Sequence, residues 1–310
     1  MTLDPAYLEY PKRREGMDHG LYPAAPMPSR RPVAWPGGKP VAVTLLVNLE
    51  WFPITPSDTP FRAPGHMVTP YPDYRHYTAR EYGTRVGFYR LLDAFAKAGV
   101  KATVAVNSAI AERYPSVIAD ILSAGHEIIA HSTDMNGTIA GGMDEAEERA
   151  LIVEARDRLA EVAGTAPRGW QSIARSQSFN TPRLLVEAGF DYMCDWVNDD
   201  LPYLATTEAG TIVSVPFNHE LSDRQMIAVQ QQSMDSVAQQ IEDALAWLKA
   251  ESAQYGAGRV LPFTLTPYIT GLPYRMDAFE ALLGRLAGDE ATWFATAGEL
   301  VDSWRPQAGG

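Results

Sequence analysis

Two patterns of hydrophobic positions alternate along this chain. Short apolar, β-branched runs mark strands, and longer stretches with apolar residues three and four apart mark helices. The first run, "PVAVTLLVNLEWF" from Pro40, is apolar until Asn48 and reads as a strand buried on both faces. "GTRVGFYRLLDAFAKAGV" follows as an amphipathic helix closed by Gly99, then "KATVAV" as a strand and "PSVIADILSAG" as a helix that again ends on glycine. "HEIIA" is a strand, "DEAEERALIVEARDRLAEVAG" a helix with acids in its first turn, and "RGWQS" a strand. "NTPRLLVEAG" starts with Asn180 as N-cap and Pro182 in its first turn. After it come the strands "DYMCD" and "TIVSVPF", the helix "SVAQQIEDALAWLKAES", the strand "VLPFTL", the helix "MDAFEALLGRLA", the strand "TWFAT" and a short closing helix.

Strands and helices that trade places this regularly predict an α/β fold with a parallel sheet, open or closed into a barrel. Residues 1–38, rich in Pro, Arg, Gly and Tyr, predict an arm that wraps the surface or a partner subunit. Residues 39–310 then form one barrel domain without internal repeats. The proline-rich stretch 53–77 reads as a long loop of the kind that lids a site. In a parallel barrel the chemistry gathers where strands end. Those ends carry Asn48 and Glu50, Asn107, His131, Gln171, Asp195, Asn218 and His219, Thr266, and Thr296.

Composition narrows the partners. Of 310 residues, 46% are hydrophobic and 21% charged, and 38 acids against 26 bases give a formal charge of −12. That balance argues against nucleic acid or an anionic membrane as partner, since both require clustered Lys and Arg. No apolar run reaches the ~18 residues of a membrane span, and the amino terminus lacks the apolar core of a secretory signal. A single cysteine, Cys194, excludes an intrachain disulfide and a thiolate metal cluster, and it reads as a buried small hydrophobe. The expectation is a cytoplasmic protein acting on a small soluble molecule, with no cofactor motif and an arm that predicts a homo-oligomer.

The strand with "NLE", the segment "GHEIIAHS", "RGWQSIARSQSFNTPRLLVEAGFDY" with "NDDLPY", and "LTPYITGLPYRM" with "WFATAGEL" occur in that order. Together they resemble the polysaccharide deacetylase (NodB homology) superfamily, and within it the branch of allantoinases and cyclic imide hydrolases. The resemblance runs over about residues 30 to 304. It implies a distorted (β/α) barrel with its site at the strand carboxyl ends, and hydrolysis of C–N bonds. Metal-dependent members carry an Asp-Asp pair after the first strand, a His-x-x-x-His motif and a late Leu-His-Pro. The matching positions here are Glu50 with Trp51, His131 with Met135, and Leu265-Thr266-Pro267. Two of three metal positions have lost ligand chemistry, and a catalytic zinc requires three protein ligands. No bound metal is therefore expected, with a carboxylate-rich site of His131 with Glu50 or Asp134 as the lesser reading.

The resemblance makes Glu50 the candidate general base, its pKa raised by desolvation. The plainer reading pairs it with an arginine such as Arg85. His131 would polarise a carbonyl or shuttle a proton with Glu50; otherwise it is an imidazole held by a backbone carbonyl. Arg175 would grip a carboxylate or ureido carbonyl; the alternative is a surface salt bridge. Asp199 and Asp200 could receive substrate N–H groups, or cap a turn. Trp170 and Tyr268 would wall the pocket, or pack in the core. His219 with Glu220 could supply the acid missing at Thr266. Asn48 completes the set of substrate contacts. Ser132 reads as a loop cap before a nucleophile, Asp134 and Asn136 as turn formers, and His19, His66, His76 and His126 as structural, with His66 placed to act as a lid residue. The leading expectation is a metal-independent hydrolase of a C–N bond in a small amide, imide or ureide. The rivals are a lyase or isomerase using Glu50 and His131 for proton transfer, a degenerate binding protein, and, more remotely, a metal-dependent deacetylase.

Overall fold

A computed structural model describes residues 19–55 and 74–308. Its strands are β1 (Val41–Leu49), β2 (Thr103–Val106), β3 (Glu127–Ala130), β4 (Gly169–Trp170), β5 (Tyr192–Met193), β6 (Tyr203–Thr207), β7 (Gly210–Ser214), β8 (Arg259–Leu265) and β9 (Thr292–Phe294). Its helices are α1 (Tyr74–Tyr82), α2 (Phe88–Ala98), α3 (Ser108–Arg113), α4 (Pro115–Ser123), α5 (Glu145–Ala163), α6 (Thr181–Glu187), α7 (Met234–Tyr255), α8 (Pro267–Thr270), α9 (Pro273–Gly288) and α10 (Ala297–Trp304). One sheet runs β6-β7-β5-β4-β3-β2-β1-β8, every pairing parallel except the β6–β7 hairpin. β1 shares one edge between two partners: Val41–Val43 pair with β9 and Leu46–Leu49 with β2. A parallel bridge from Ser222 to Thr264 links the segment after β7 to β8. The α/β reading holds in the form of a curled half-barrel.

Period-two alternation sorts β1. Val41, Val43, Leu45, Val47 and Leu49 pack with Leu91 and Phe95 of α2 and Phe279 and Leu283 of α9. Ala42 and Leu46 point the other way, into an inner cluster with Val213, Val215, Phe217, Val260 and the α10 residues Leu300, Val301 and Trp304. Both faces are buried, so the run is apolar throughout, as a parallel strand requires. The same parity sets Asn48 and Glu50 on the inner face, beyond Leu46, where the apolar filling stops. The arm also serves this inner side. Trp35 donates its indole N–H to Arg259 O at 2.8 Å and is buried in the inner cluster, while Leu21 O accepts from Thr206 N at 2.6 Å.

Several elements differ from the sequence reading. Residues 74–77, read as part of a loop, begin α1, while residues 56–73, with His66, lie outside the described residues. β4 and β5 are only two residues long, and the β6–β7 hairpin was not anticipated. Two π-helical segments, Gly83–Gly87 and Arg224–Val229, also carried no signal in the hydrophobic pattern. Among the described residues no helix is long and apolar enough to cross a membrane.

Candidate active site

Glu50 follows the last residue of β1 and is buried, 6% exposed. Two groups hold its carboxylate, and an imidazole stands near it. Arg224 Nη2 donates from 2.6 and 2.8 Å, and the Tyr268 hydroxyl donates to Oε2 at 2.9 Å. His131 Nε2 lies 3.9 Å from Oε1. Burial alone would raise the carboxyl's pKa, but the charge of Arg224 and the neighbouring imidazole hold it down at about 2. The sequence-based expectation of a raised pKa is therefore reversed, and the arginine partner is Arg224. Arg85 pairs instead with Glu81 on its own helical stretch.

His131 follows β3, on the inner face with Ile129. Its Nδ1 is 2.8 Å from Gln171 O. A carbonyl only accepts, so Nδ1 carries a proton and Nε2 is the face presented to Glu50. Nε2 is buried and has no hydrogen-bond partner among the described residues. Asn107, at the end of β2 between the two, ties their backbones together. Its Oδ1 accepts from Trp51 N at 2.7 Å and its Nδ2 donates to His131 O. Ser132, at φ 60°, turns the chain out of β3 and caps the loop through Gly137 O at 2.7 Å. Asp134 Oδ1 accepts from Asn136 N at 2.7 Å, an ordinary turn.

The two π-helical segments converge on α8, which carries Tyr268. Arg224 opens the second of them. The first packs so closely that a Cβ at Gly87 would fall 2.2 Å from Pro267 O, and one at Gly271 would meet Gly87. Thr266 is the N-terminal flank of α8; its N–H donates to Asp223 Oδ2 at 2.5 Å, and its hydroxyl has no partner among the described residues. Asp223 also accepts from Thr270 Oγ1 at 2.7 Å, and burial lifts its carboxyl to about 6.

Arg175 lies in the turn after β4, within electrostatic reach of Arg224. Its guanidinium reaches His219 Nδ1 at 3.1 Å and Asn218 O at 3.2 Å. His219 thus pairs with Arg175 and not with Glu220. Desolvation lowers the Arg175 pKa, with Asp195 as the main opposing charge. Asp195 itself accepts from Ser172 N at 2.7 Å and Gln177 Nε2 at 2.6 Å, and burial pushes its carboxyl up to about 6. Asn48 Oδ1 and Gln171 Oε1, both buried, have no hydrogen-bond partner among the described residues.

Two proposed contacts fall elsewhere. Trp170 is fully buried on the helix side of the sheet, edge-on to Phe190, with its indole N–H on Ser172 Oγ at 2.8 Å; parity along β4 turns it away from the site. Asp199 pairs with Arg30 of the arm and accepts from Leu201 N at 3.0 Å, so it anchors a turn. His126 is buried against Phe95 and accepts from Ala102 N at 3.1 Å. Cys194 is buried, as expected. The sequence reading missed Arg224. A carboxylate at a buried strand end demands a cation, but nothing in "LSDRQM" says which arginine supplies it.

A catalytic metal ion, implied by the metal-dependent branch of the resemblance, does not fit these residues. Trp51 turns outward onto Tyr77 and Tyr114, and Glu50 is already held by Arg224 and Tyr268. Met135 offers no imidazole, and among the described residues no three His, Cys, Asp or Glu side chains converge.

A curled parallel barrel with a polar, charge-paired site at its strand carboxyl ends defines an enzyme-like architecture. Residues 79–193 match the family model named polysaccharide deacetylase. A curated Schizosaccharomyces pombe protein assigned by name to the polysaccharide deacetylases is 26% identical over 298 residues, covering 87% of this chain and 92% of that relative. A probable polysaccharide deacetylase from Pseudomonas aeruginosa superposes with a TM-score of 0.82 at 28% identity, covering 93% of this chain and 100% of that one. PuuE allantoinase gives 0.82 at 27% identity over 93% and 99% of the two chains. Residues 79–193 thus match a polysaccharide deacetylase, NodB-like, domain, and homologues in that family are amide hydrolases acting on C–N bonds other than peptide bonds.

Proposed function

We propose that this chain hydrolyses a C–N bond in a small amide, imide or ureide without a metal ion, using a water held between Glu50 and His131. The observation that carries the reading is the buried Nε2 of His131, unpartnered among the described residues and 3.9 Å from Glu50 Oε1. One water can donate to both atoms at once. Glu50, held near a pKa of 2, is a poor final resting place for a proton. The water proton therefore passes to His131 Nε2 as its oxygen attacks the carbonyl carbon. The imidazolium is stabilised by the adjacent carboxylate and returns the proton to the leaving nitrogen as the C–N bond breaks. Arg224 is the donor this site offers to the developing oxyanion. Gln171 O keeps His131 in the required tautomer.

Replacing Glu50 by Gln should lower turnover about 100-fold or more while the protein stays folded. Full activity in that variant would sink the assignment. Thr266, where the family acid would stand, favours a second reading in which the Glu50–His131 pair moves a proton in a lyase or isomerase. Turnover in ¹⁸O-water separates the two: hydrolysis places the label in the carbonyl product, and the alternative does not. We propose a cytoplasmic setting and a small-molecule substrate, from the acidic charge balance and the narrow polar site; the arm supports assembly with further copies of the chain.

A further inference from the structure

Arg175 is built in an unusual way. It follows Ala174 in the left-handed region, with φ of 53° and 56° at the two positions. Neither is glycine, so each carries backbone strain. The strained turn carries the guanidinium into a desolvated position where it makes no ion pair with any described residue. Its Nε has no hydrogen-bond partner there, and its other nitrogens spend themselves on a neutral carbonyl and an imidazole. The nearest acid, Asp195, is committed to Ser172 and Gln177. A cation taken from water without a counter-charge is costly, and strain persists where function requires it. Arginine only donates, so His219 Nδ1 accepts from it, and the neutral ring of His219 carries its own proton on Nε2. Two donors therefore stand side by side.

We propose that Arg175, with His219 beside it, receives a carboxylate carried by the substrate, so that the molecule cleaved is an anionic amide or ureide and not a neutral one. This rests on the hydrolytic reading above and names the substrate class for the same site. The anion supplies the counter-charge that Arg175 lacks, and the fork orients the scissile bond toward Glu50 and His131. Arg224, already committed to Glu50, is left to the chemistry.

The test uses the intact protein and a matched pair of probes, succinamate and succinamide, which differ by one carboxylate. Titration calorimetry at pH 7 should show succinamate binding about tenfold or more tightly, the scale of a charge-assisted hydrogen bond. Arg175→Met should erase the preference, and Arg175→Lys should restore only part of it, because an ammonium lacks the planar fork. The unliganded Arg175→Met protein should melt no lower than the unmodified one, which separates loss of binding from loss of folding. Equal binding of both probes, binding of neither, or a preference that survives Arg175→Met overturns the proposal. Ammonia release from a panel of carboxylated and neutral amides reports on hydrolysis separately. A carboxylate preference with no release from any amide leaves the anion site standing and removes the hydrolytic reading. Release without a preference does the reverse.

Discussion

At the scale of the residue, Glu50 is governed by whom it meets. Its folded pKa lies near 2 against an ordinary 4.5, so the ionised form stabilises the fold. That stability is present above pH 4.5 and is lost as pH falls through the window down to about 2. The shift corresponds to about 3 kcal/mol. Urea denaturation at pH 5 and pH 3 should show the unmodified protein losing more stability than Glu50→Gln over the same interval; equal losses would remove Glu50 from the account. Arg224→Met should cost about 3–5 kcal/mol at pH 7, because it strands a buried carboxylate. In the double variant with Glu50→Gln the cost should shrink, which a double-mutant cycle measures. Asn48, Glu50, His131 and Thr266 were legible in the sequence because each ends an apolar strand. The direction of the Glu50 shift was not legible, since its partner comes from a π-helical stretch with no periodic signature. Trp170 was misplaced for a simpler reason: alternation along "GWQ" puts Gln171 on the inner face and the indole on the outer.

At the scale of the element, the ends of three neighbouring strands are tied together by one side chain. Asn107 joins the backbone after Glu50 to that of His131, so the separation of these two residues is set by β2 as much as by β1 and β3. Asn107→Ala leaves a buried N–H and a buried carbonyl without partners and should destabilise the protein by about 2–4 kcal/mol. Turnover should fall with it, the rate more than the Michaelis constant, since the proposed carboxylate site at Arg175 is untouched. Unchanged turnover in a folded Asn107→Ala protein would show that the pair keeps its geometry without the clamp. The long strands and helices were readable from periodicity. β4, β5 and β6 were harder: two-residue strands hold too little pattern, and the hairpin carries polar threonines on its exposed edge.

At the scale of the whole molecule, opposing titrations set the acid–base profile. Asp195 and Asp223 have folded pKa values near 6, raised by burial from 3.8. A raised carboxyl binds its proton more tightly in the fold, so these two withdraw stability as pH climbs from 3.8 through 6. Glu50 adds stability over a lower range, below 4.5. The thermal midpoint should therefore peak at about pH 4 and decline toward neutrality, a trend the formal charge of −12 reinforces through self-repulsion. Calorimetric scans from pH 4 to pH 8 check this; a midpoint that climbs steadily to pH 8 contradicts it. The arm belongs to the same balance. Trp35→Ala, which empties a buried position under the barrel, should cost about 3–5 kcal/mol.

The divided edge of β1 has a consequence for how the chain is made. Its opening residues, Val41–Val43, find their neighbour on that side only in Thr292–Phe294, far along the sequence. A nascent chain can pair Leu46–Leu49 with β2 early, yet the start of β1 lacks its neighbour on that side until Thr292–Phe294 has left the ribosome. Completion of the sheet is thereby deferred until β9 has been made. Chains that terminate early should accumulate as aggregation-prone intermediates and not as smaller working enzymes.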